Sequence, residues 1–489
     1  MQLNNESLGS LGDGVQTPAY ARADTHCGIV HLGVGAFHRA HQAVTIDDLL
    51  ASEPGWAITG VSLRAADTAT ALNPQHGLYT LLERGADGNR ARVIGSLQQV
   101  LVAPQQGATL LQAMIDPAVR IVSITITEKG YCHTPATGML DEQHADIVYD
   151  VTALREDRYP RSAVGWLVLA LKHRRENDSG PFTVVSCDNL PANGQVARNV
   201  VLQLVHLIDE HLANWIAANV SFPCSMVDRI VPATTDADRE QVRAITGVHD
   251  AWPVLAEPFS QWVLEDCFCN GRPSFENAGV QMVDDVEPFE LMKLRMLNGS
   301  HSTLAYLGFL AGHETVADAM NGAGFRSLLS QMMSDEIMPG LSLPVSVDLP
   351  AYRDALLQRF DNPALQHQTA QIAMDGSQKI PQRLLATIEN NLKCGRSIET
   401  LSLAVAGWMR YARAVDEKGA RIDVRDPLAE NLAHAANAGD AATVVAQFLS
   451  MRDVFPMSLA ANQLFATTVT LALERLTNLG AAACVAQWR

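Results

Sequence analysis

The sequence predicts an α/β chain, with a doubly wound, largely parallel sheet over residues 1–285 and an all-helical domain over residues 286–489. Two observations carry this expectation. In the first part, short runs rich in β-branched residues alternate with helical stretches. Strands that are apolar on both faces and separated by helices belong to a parallel sheet covered on both sides. From about Val286 such runs nearly vanish and helix formers dominate.

Residues 1–26 have neither a basic n-region nor an apolar h-region, so they read as a partly frayed leader and not as a signal peptide. CGIVHLGVG (27–35) is a strand entering a glycine turn. WAITGVSLR (56–64), ARVIGS (91–96), VRIVSITIT (119–127) and PFTVVSCDN (181–189) are expected as the second to fifth strands. AHQAVTIDDLLAS, GATLLQAMI and SAVGWLVLALKHRRE supply helices between them. Beyond the boundary, LMKLRML, SHSTLAYLGFLAGHETVADAM, FRSLLSQMMSDEIM, PAYRDALLQRF, PQRLLATIENNLK and TLSLAVAGWMRYARAV read as helices. They are punctuated at Asn362-Pro363 and Asp426-Pro427, and Pro381 is expected to open a helix. The alanine-rich stretch 429–446 has a favourable helix composition, and a last helix runs from about Ala460 to Leu479. The stretch from Val454 to Leu473 is uncharged apart from its ends' neighbours, but Pro456, Asn462, Gln463 and its threonines mark a buried or amphipathic helix and not a membrane span.

A length of 489 residues allows two or three domains, and the change of character near residue 285 favours two. Hydrophobic residues at 47% against 18% charged describe a globular chain with ample core for a pocket. The 36 basic and 53 acidic side chains give a net charge of −17, which argues against a nucleic-acid partner, because counterion release needs clustered cations facing phosphate. The 8 cysteines contain no CxxC pair, which fits reduced thiols and a cytoplasmic location. Cys267 and Cys269 are expected on opposite faces of a strand, and no metal site is expected.

Gly33-Val34-Gly35 follows the first strand and precedes a helix starting near Phe37. In a dinucleotide fold the first glycine permits the tight turn and the second lets backbone approach a pyrophosphate; the bland alternative is an ordinary strand-to-helix turn. His38 stands where a third glycine is usual. Phe37, His38, Arg39 and His41 crowd the first helical turns, where a cation opposes the helix dipole. Arg39 is therefore placed either for an anion such as the pyrophosphate or to snorkel into solvent. Asp67 is the nearest acidic residue after the second strand for an adenosine ribose, although Arg64 beside it leaves room for a 2′-phosphate.

In the helical domain Lys293, Asn298 and His301 form the densest polar cluster. At 100° per residue, His301 lies about 60° from Asn298 and about 80° from Lys293, so the three share one broad face, more so if Asn298-Gly299 bends the helix. Reducing a ketone requires a proton donor at the carbonyl oxygen and donors that stabilise its developing charge, roles that suit a lysine and an asparagine amide. The alternative is a solvated lysine, a helix-breaking Asn-Gly and a core histidine. Asn189 ends the fifth strand and Thr127-Glu128 the fourth, at the strand ends where open sheets bind ligands. Asp228 offers a ligand contact or an ion pair with Arg229. Lys379 and Arg383 either hold a carboxylate or neutralise Asp375.

GVGAFHRAHQ (33–42), TITEKGYC (125–132), SCDN (186–189), FPCSMVDRIVPATT (222–235), EPFSQWVLED (257–266), KLRMLNGSHS (293–302) and DGSQKIPQR (375–383) resemble the long-chain, metal-independent mannitol dehydrogenase family. Within it they look most like the fructuronate reductase, or D-mannonate oxidoreductase, branch. The motifs span residue 27 to beyond 410. The resemblance implies a Rossmann-type domain binding NAD, with NADP left open, a helical C-terminal domain and a site in the cleft between them. By motif position Lys293 would be the general acid/base, Asn189 and Asn298 would polarise the carbonyl oxygen, and His301 would orient substrate hydroxyls. Glu290 would serve the proton path, Asp228 the nicotinamide and substrate wall, and Lys379 and Arg383 the substrate. The resemblance also makes His38 the expected residue in place of the third glycine.

The implied reaction interconverts a ketose or keto-uronate and its alcohol by hydride transfer, D-fructuronate and D-mannonate foremost. Mannitol 2-dehydrogenase and tagaturonate reductase are the sister activities, and a non-catalytic dinucleotide sensor is the remote alternative. A small-molecule substrate is then the expected partner, with no nucleic acid or membrane, in a monomer or small homo-oligomer.

Overall fold

The computed structural model describes residues 1–488 apart from 86, 135, 136 and 346. The chain divides into two compact units, Met1–Glu287 and Pro288–Arg489. The first is built on five parallel strands, β1 (Cys27–Leu32), β2 (Ala57–Ser62), β3 (Leu97–Val102), β4 (Ile121–Ile124) and β5 (Thr183–Ser186). Their spatial order is β3-β2-β1-β4-β5. The order reverses between β1 and β4, the switch point beyond which ligands bind in open sheets of this kind.

Side-chain alternation explains why both faces are covered. Val30, Leu32, Val122, Ile124 and Val184 enter one core with Trp166 and Leu167, while Ile29, Ile58, Ile121 and Val185 enter the other with Trp56 and Phe275. Each fully buried aliphatic side chain contributes about 1.5–3 kcal/mol of hydrophobic stabilisation.

One strand assignment is corrected. ARVIGS belongs to Gly88–Ile94, which pairs antiparallel with Tyr79–Gly85 in a separate three-stranded sheet; the third parallel strand is LQQVLV. Gly88–Ile94 has exposed residues through its first half, as suits an antiparallel strand with a solvated face, and its short apolar run alone does not reveal this.

Residues 1–26 are also not frayed. Leu3 is fully buried with Leu78, Val93 and Val248, and its amide donates to the His249 carbonyl at 2.9 Å. Arg22 donates to the carbonyls of Gly95 at 2.9 Å, His76 at 2.6 Å and Leu97 at 2.8 Å. Acceptors supplied by distant backbone left no local signal in the leader sequence.

The second unit is helical among its described residues. Glu399–Tyr411 packs along Gln463–Leu479, and its N-terminus is capped by the buried Glu336. Two predicted helices are each divided. A Thr315/Asp318 capping box starts a new helix at Val316, and Asp440 caps Ala441–Ser450 separately from Ala429–Ala436. Pro381 does not open a helix but follows Gly376–Ile380 directly, at the start of a π-helical turn over Pro381–Leu385. Wider i→i+5 bonding there accommodates a residue without an N–H.

Candidate active site

The first half of the site is the turn after β1. Gly33 has φ +99°, and a Cβ on it would lie 2.1 Å from the Thr125 carbonyl oxygen. Its amide donates to the Val61 carbonyl at 2.8 Å, and its carbonyl accepts from the Thr125 hydroxyl at 2.7 Å, so the ends of β2 and β4 pin the turn. Gly35 is exposed and N-caps helix α1 (Ala36–Ala40), and a Cβ there would meet only the Gly33 oxygen, at 3.9 Å. The two glycines thus fit the tight turn and the open backbone approach that a dinucleotide needs.

The residues after them do not face a ligand as expected. His38 is 1% exposed, stacked on His31 with ring centroids 3.4 Å apart, and burial pushes its pKa well below the ordinary histidine value. Arg39 is 4% exposed; it donates to the Trp252 carbonyl at 2.5 Å and lies over the Tyr79 ring. Its guanidinium is held inside the unit, with Nε buried without a hydrogen-bond partner, and is not presented on the surface. The His41 ring bonds the Gln261 carbonyl at 2.9 Å and stacks on the half-buried Phe37. Asp67 is exposed in the first turn of Asp67–Leu72, just beyond β2.

At the carboxyl ends of β4 and β5, Thr127, Glu128 and Asn189 are exposed. Thr127 has φ +60°, unusual for a β-branched residue. Asp228, 5% exposed, ends the strand β6 (Ser225–Asp228). Arg229 is committed to the Glu83 carboxylate and to the carbonyls of Glu257 and Ala40, so its ion pair is made with Glu83, far along the sequence.

In the second unit the cluster predicted from the sequence stands on a helix of mixed winding. Glu287–Met292 is α-helical, Lys293–Asn298 is π-helical, Gly299–Thr303 is α-helical and Leu304–Gly308 is π-helical. The expected bend at Asn298-Gly299 is replaced by widening. Residues five apart, as Lys293 and Asn298 are, lie nearly above one another in i→i+5 winding, whereas an α-helix would turn them well apart. Lys293 is 9% and His301 7% exposed.

Burial first, and then the neighbouring His367, Arg359, Arg383 and Lys293, hold the His301 pKa well below its usual value. The ring is therefore neutral near pH 7. Its Nε2 is buried without a hydrogen-bond partner, and the ring packs 4.8 Å from Phe360 and edge to face with His367 at 5.2 Å. Arg383 donates to the Ser302 hydroxyl at 3.1 Å and reaches the Asn298 carbonyl at 3.5 Å. Lys379 is committed to the Met374 carbonyl at 2.6 Å. Of this pair, only Arg383 lies against the predicted cluster through these bonds.

The sequence reading missed Ser302, Phe360 and His367 around His301, and missed the bonding role of Asp188. Asp188 and Ser302 lie inside the conspicuous motifs, as do Ile126, Thr127, Tyr131 and Arg383 to which they bond, but the motifs alone do not show which of them pair. His367 sits in an irregular segment whose backbone is tied to Val316, and nothing local signals it. Among the described residues no group of three or more His, Cys, Asp or Glu is placed to hold a metal, and no helix is long and apolar enough to cross a membrane.

Known proteins combine the same two units. A family model of the mannitol dehydrogenase Rossmann domain matches residues 27–277, and one of the mannitol dehydrogenase C-terminal domain matches residues 285–477. The D-mannonate oxidoreductase of Escherichia coli K12 is 45% identical over 477 residues, covering 96% of this chain and 98% of its own length. Pseudomonas fluorescens mannitol 2-dehydrogenase, solved as a ternary complex with NAD and D-mannitol, is 39% identical with a TM-score of 0.83, covering 100% of this chain and 99% of that one. A D-sorbitol dehydrogenase in substrate-free form is 35% identical with a TM-score of 0.93, covering 99% and 100%. With a switch-point glycine turn in one unit, a Lys-Asn-His cluster in the other and family matches spanning both, the chain is an oxidoreductase that belongs to the mannitol dehydrogenase family.

Proposed function

We propose that the chain is an NAD-dependent oxidoreductase interconverting a keto-uronate and its alcohol, D-fructuronate and D-mannonate foremost, with Lys293 as general acid/base. The observation that carries the choice of an acid is the cationic surround of His301. Arg359, Arg383 and Lys293 all act on this ring, and Arg383 is tethered beside Asn298, in a protein whose net charge is −17. Such a concentration of cations suits an anionic substrate. Similarity to a D-mannonate oxidoreductase over nearly the full length supports the same reading.

Gly33, Gly35 and Asp67 would hold the cofactor, with Thr127 and Glu128 at the strand ends, and a bound nicotinamide supplies or accepts the hydride. The side chains of the protein move the proton. In reduction the Lys293 ammonium donates to the carbonyl oxygen while the Asn189 and Asn298 amides hydrogen-bond that oxygen; in oxidation neutral Lys293 takes the proton back. His301, neutral, orients substrate hydroxyls. Asp228 forms part of the substrate wall, and Glu290, one turn before Lys293, relays protons to solvent. Lys379, bonded to the Met374 carbonyl, contributes charge near Arg383 and not a direct grip.

A neutral polyol is the second reading, favoured by similarity to the mannitol 2-dehydrogenase solved with D-mannitol. Assaying fructuronate, tagaturonate, fructose and xylulose with NADH and NADPH separates the two. Fructuronate with NADH should give the highest kcat/KM, and a preference for fructose would reject the acid. Lys293→Ala should retain NADH affinity and lose roughly 10²–10⁴-fold in turnover; near-normal turnover would remove Lys293 from the mechanism.

A further inference from the structure

Two segments bearing site residues meet at one half-buried carboxylate, that of Asp188. The Asp188 oxygens accept from the backbone amides of Ile126 at 3.0 Å and Thr127 at 2.9 Å, and from the Tyr131 hydroxyl at 2.8 Å. The first two bonds close the turn that leaves β4, where Thr127 is held at φ +60°. A β-branched residue does not rest in the left-handed region unless its surroundings impose it. Two consecutive amides on one carboxylate are such an imposition.

The Asp188 backbone is fixed in turn. The fully buried Asn193 amide donates to the Asp188 carbonyl at 2.9 Å and to the Ser225 carbonyl at 2.8 Å, and its oxygen accepts from the Ser225 amide at 2.9 Å. Asp188 thus joins the end of β4 to the end of β5, and Asn193 joins the end of β5 to the start of β6. Thr127, Asn189 and Asp228 stand on these three segments. The Asp188 carboxyl carries a raised pKa, because burial opposes its charge against the three donors that favour it.

We propose that Asp188 is a positioning residue, holding the Thr127 turn in its left-handed form and so fixing the edge from which Asn189 addresses the substrate carbonyl. This rests on the proposed role of Asn189. The reacting atoms are not touched by Asp188. Its loss acts on the geometry of hydride and proton transfer, and cofactor affinity, carried mainly by the turn after β1, changes little.

The test combines Asp188→Ala and Asp188→Asn with Thr127→Gly. Asp188→Ala should lower kcat roughly 10–100-fold while the NADH dissociation constant moves by less than about threefold, and Asp188→Asn, which keeps one acceptor oxygen, should lose less. Amide hydrogen exchange at residues 126–127 should accelerate in both variants. Glycine adopts positive φ without strain, so in a Thr127→Gly background the loss of kcat on removing Asp188 should shrink at least about fivefold. A merely structural role predicts a lower melting temperature with kcat per folded molecule unchanged and no such shrinkage, and either result overturns the proposal. If Asp188→Ala does not fold, Asp188→Asn decides on the same readouts. Hydrogen exchange reports the clamp whatever the reaction is, whereas an active Lys293→Ala enzyme would count against the reaction assignment alone.

Discussion

A methyl group added at Gly33 would sit 2.1 Å from the Thr125 carbonyl oxygen, on a backbone with φ +99°. Gly33→Ala is therefore expected to cost about 2–4 kcal/mol of stability through steric overlap and strain, read as a lower denaturant midpoint. At Gly35 the same methyl meets only the Gly33 oxygen, 3.9 Å away, with ordinary φ. Gly35→Ala should leave stability within about 1 kcal/mol but weaken NADH binding at least roughly tenfold, because its methyl would occupy the approach proposed for the pyrophosphate. Equal loss of stability in both variants would remove this division of labour. The two glycines were legible because their spacing after a strand fixes a backbone role. His38 and Arg39 were misread because side-chain direction depends on helix phase. A break at His41, with φ −129° and ψ −86°, separates α1 from the next helix, Gln42–Leu49, and both side chains lie buried on α1 just before it.

Winding is the corresponding difficulty for whole elements. The apolar pattern of residues 287–308 announces a helix, and polar residues within it announce a site, yet no propensity distinguishes α from π winding there. The π segments Lys293–Asn298 and Pro381–Leu385 pack against each other, which brings Arg383 to Asn298 across more than eighty residues of sequence. Long-range pairing of this kind has no local signature, whereas the alternation of the parallel strands does. Glu336 is a second case, buried in a stretch predicted only as helix. Its carboxylate accepts from the Thr400 amide at 3.0 Å, the Leu401 amide at 2.9 Å and the Ser397 hydroxyl at 2.8 Å, and so caps Glu399–Tyr411. That helix in turn packs on Gly299–Thr303 and Leu304–Gly308. Glu336→Ala, which leaves these donors buried without an acceptor, should cost about 2–4 kcal/mol in urea unfolding. Glu336→Gln, which keeps one carbonyl oxygen, should cost less. Equal stability of Glu336→Ala and the parent would mean that water replaces the cap.

Over the whole molecule, a net charge of −17 coexists with buried cations and with imidazoles kept uncharged inside both units. Burial lowers the His31 pKa to about 3 and holds His38 and His301 well below the ordinary value. In the unfolded chain these rings titrate near 6.5. Below that pH the unfolded chain takes up protons that the folded chain refuses, so stability falls as pH is lowered and is fully present only above about 6.5. Each such histidine removes about 1 kcal/mol between pH 7.5 and 5.5. The carboxyls of Asp150 and Asp188, raised by burial, act in the opposite sense. Burial also lowers the His367 pKa, so each unit holds two such rings, His31 and His38 in the first and His301 and His367 in the second, and residue-resolved hydrogen exchange should show the urea midpoints of both units falling with acid. His38→Phe keeps a ring stacked on His31 without a titrating group and should remove about half of the acid sensitivity of the first unit. An unchanged pH slope in that variant would mean that His38 is protonated in the folded protein.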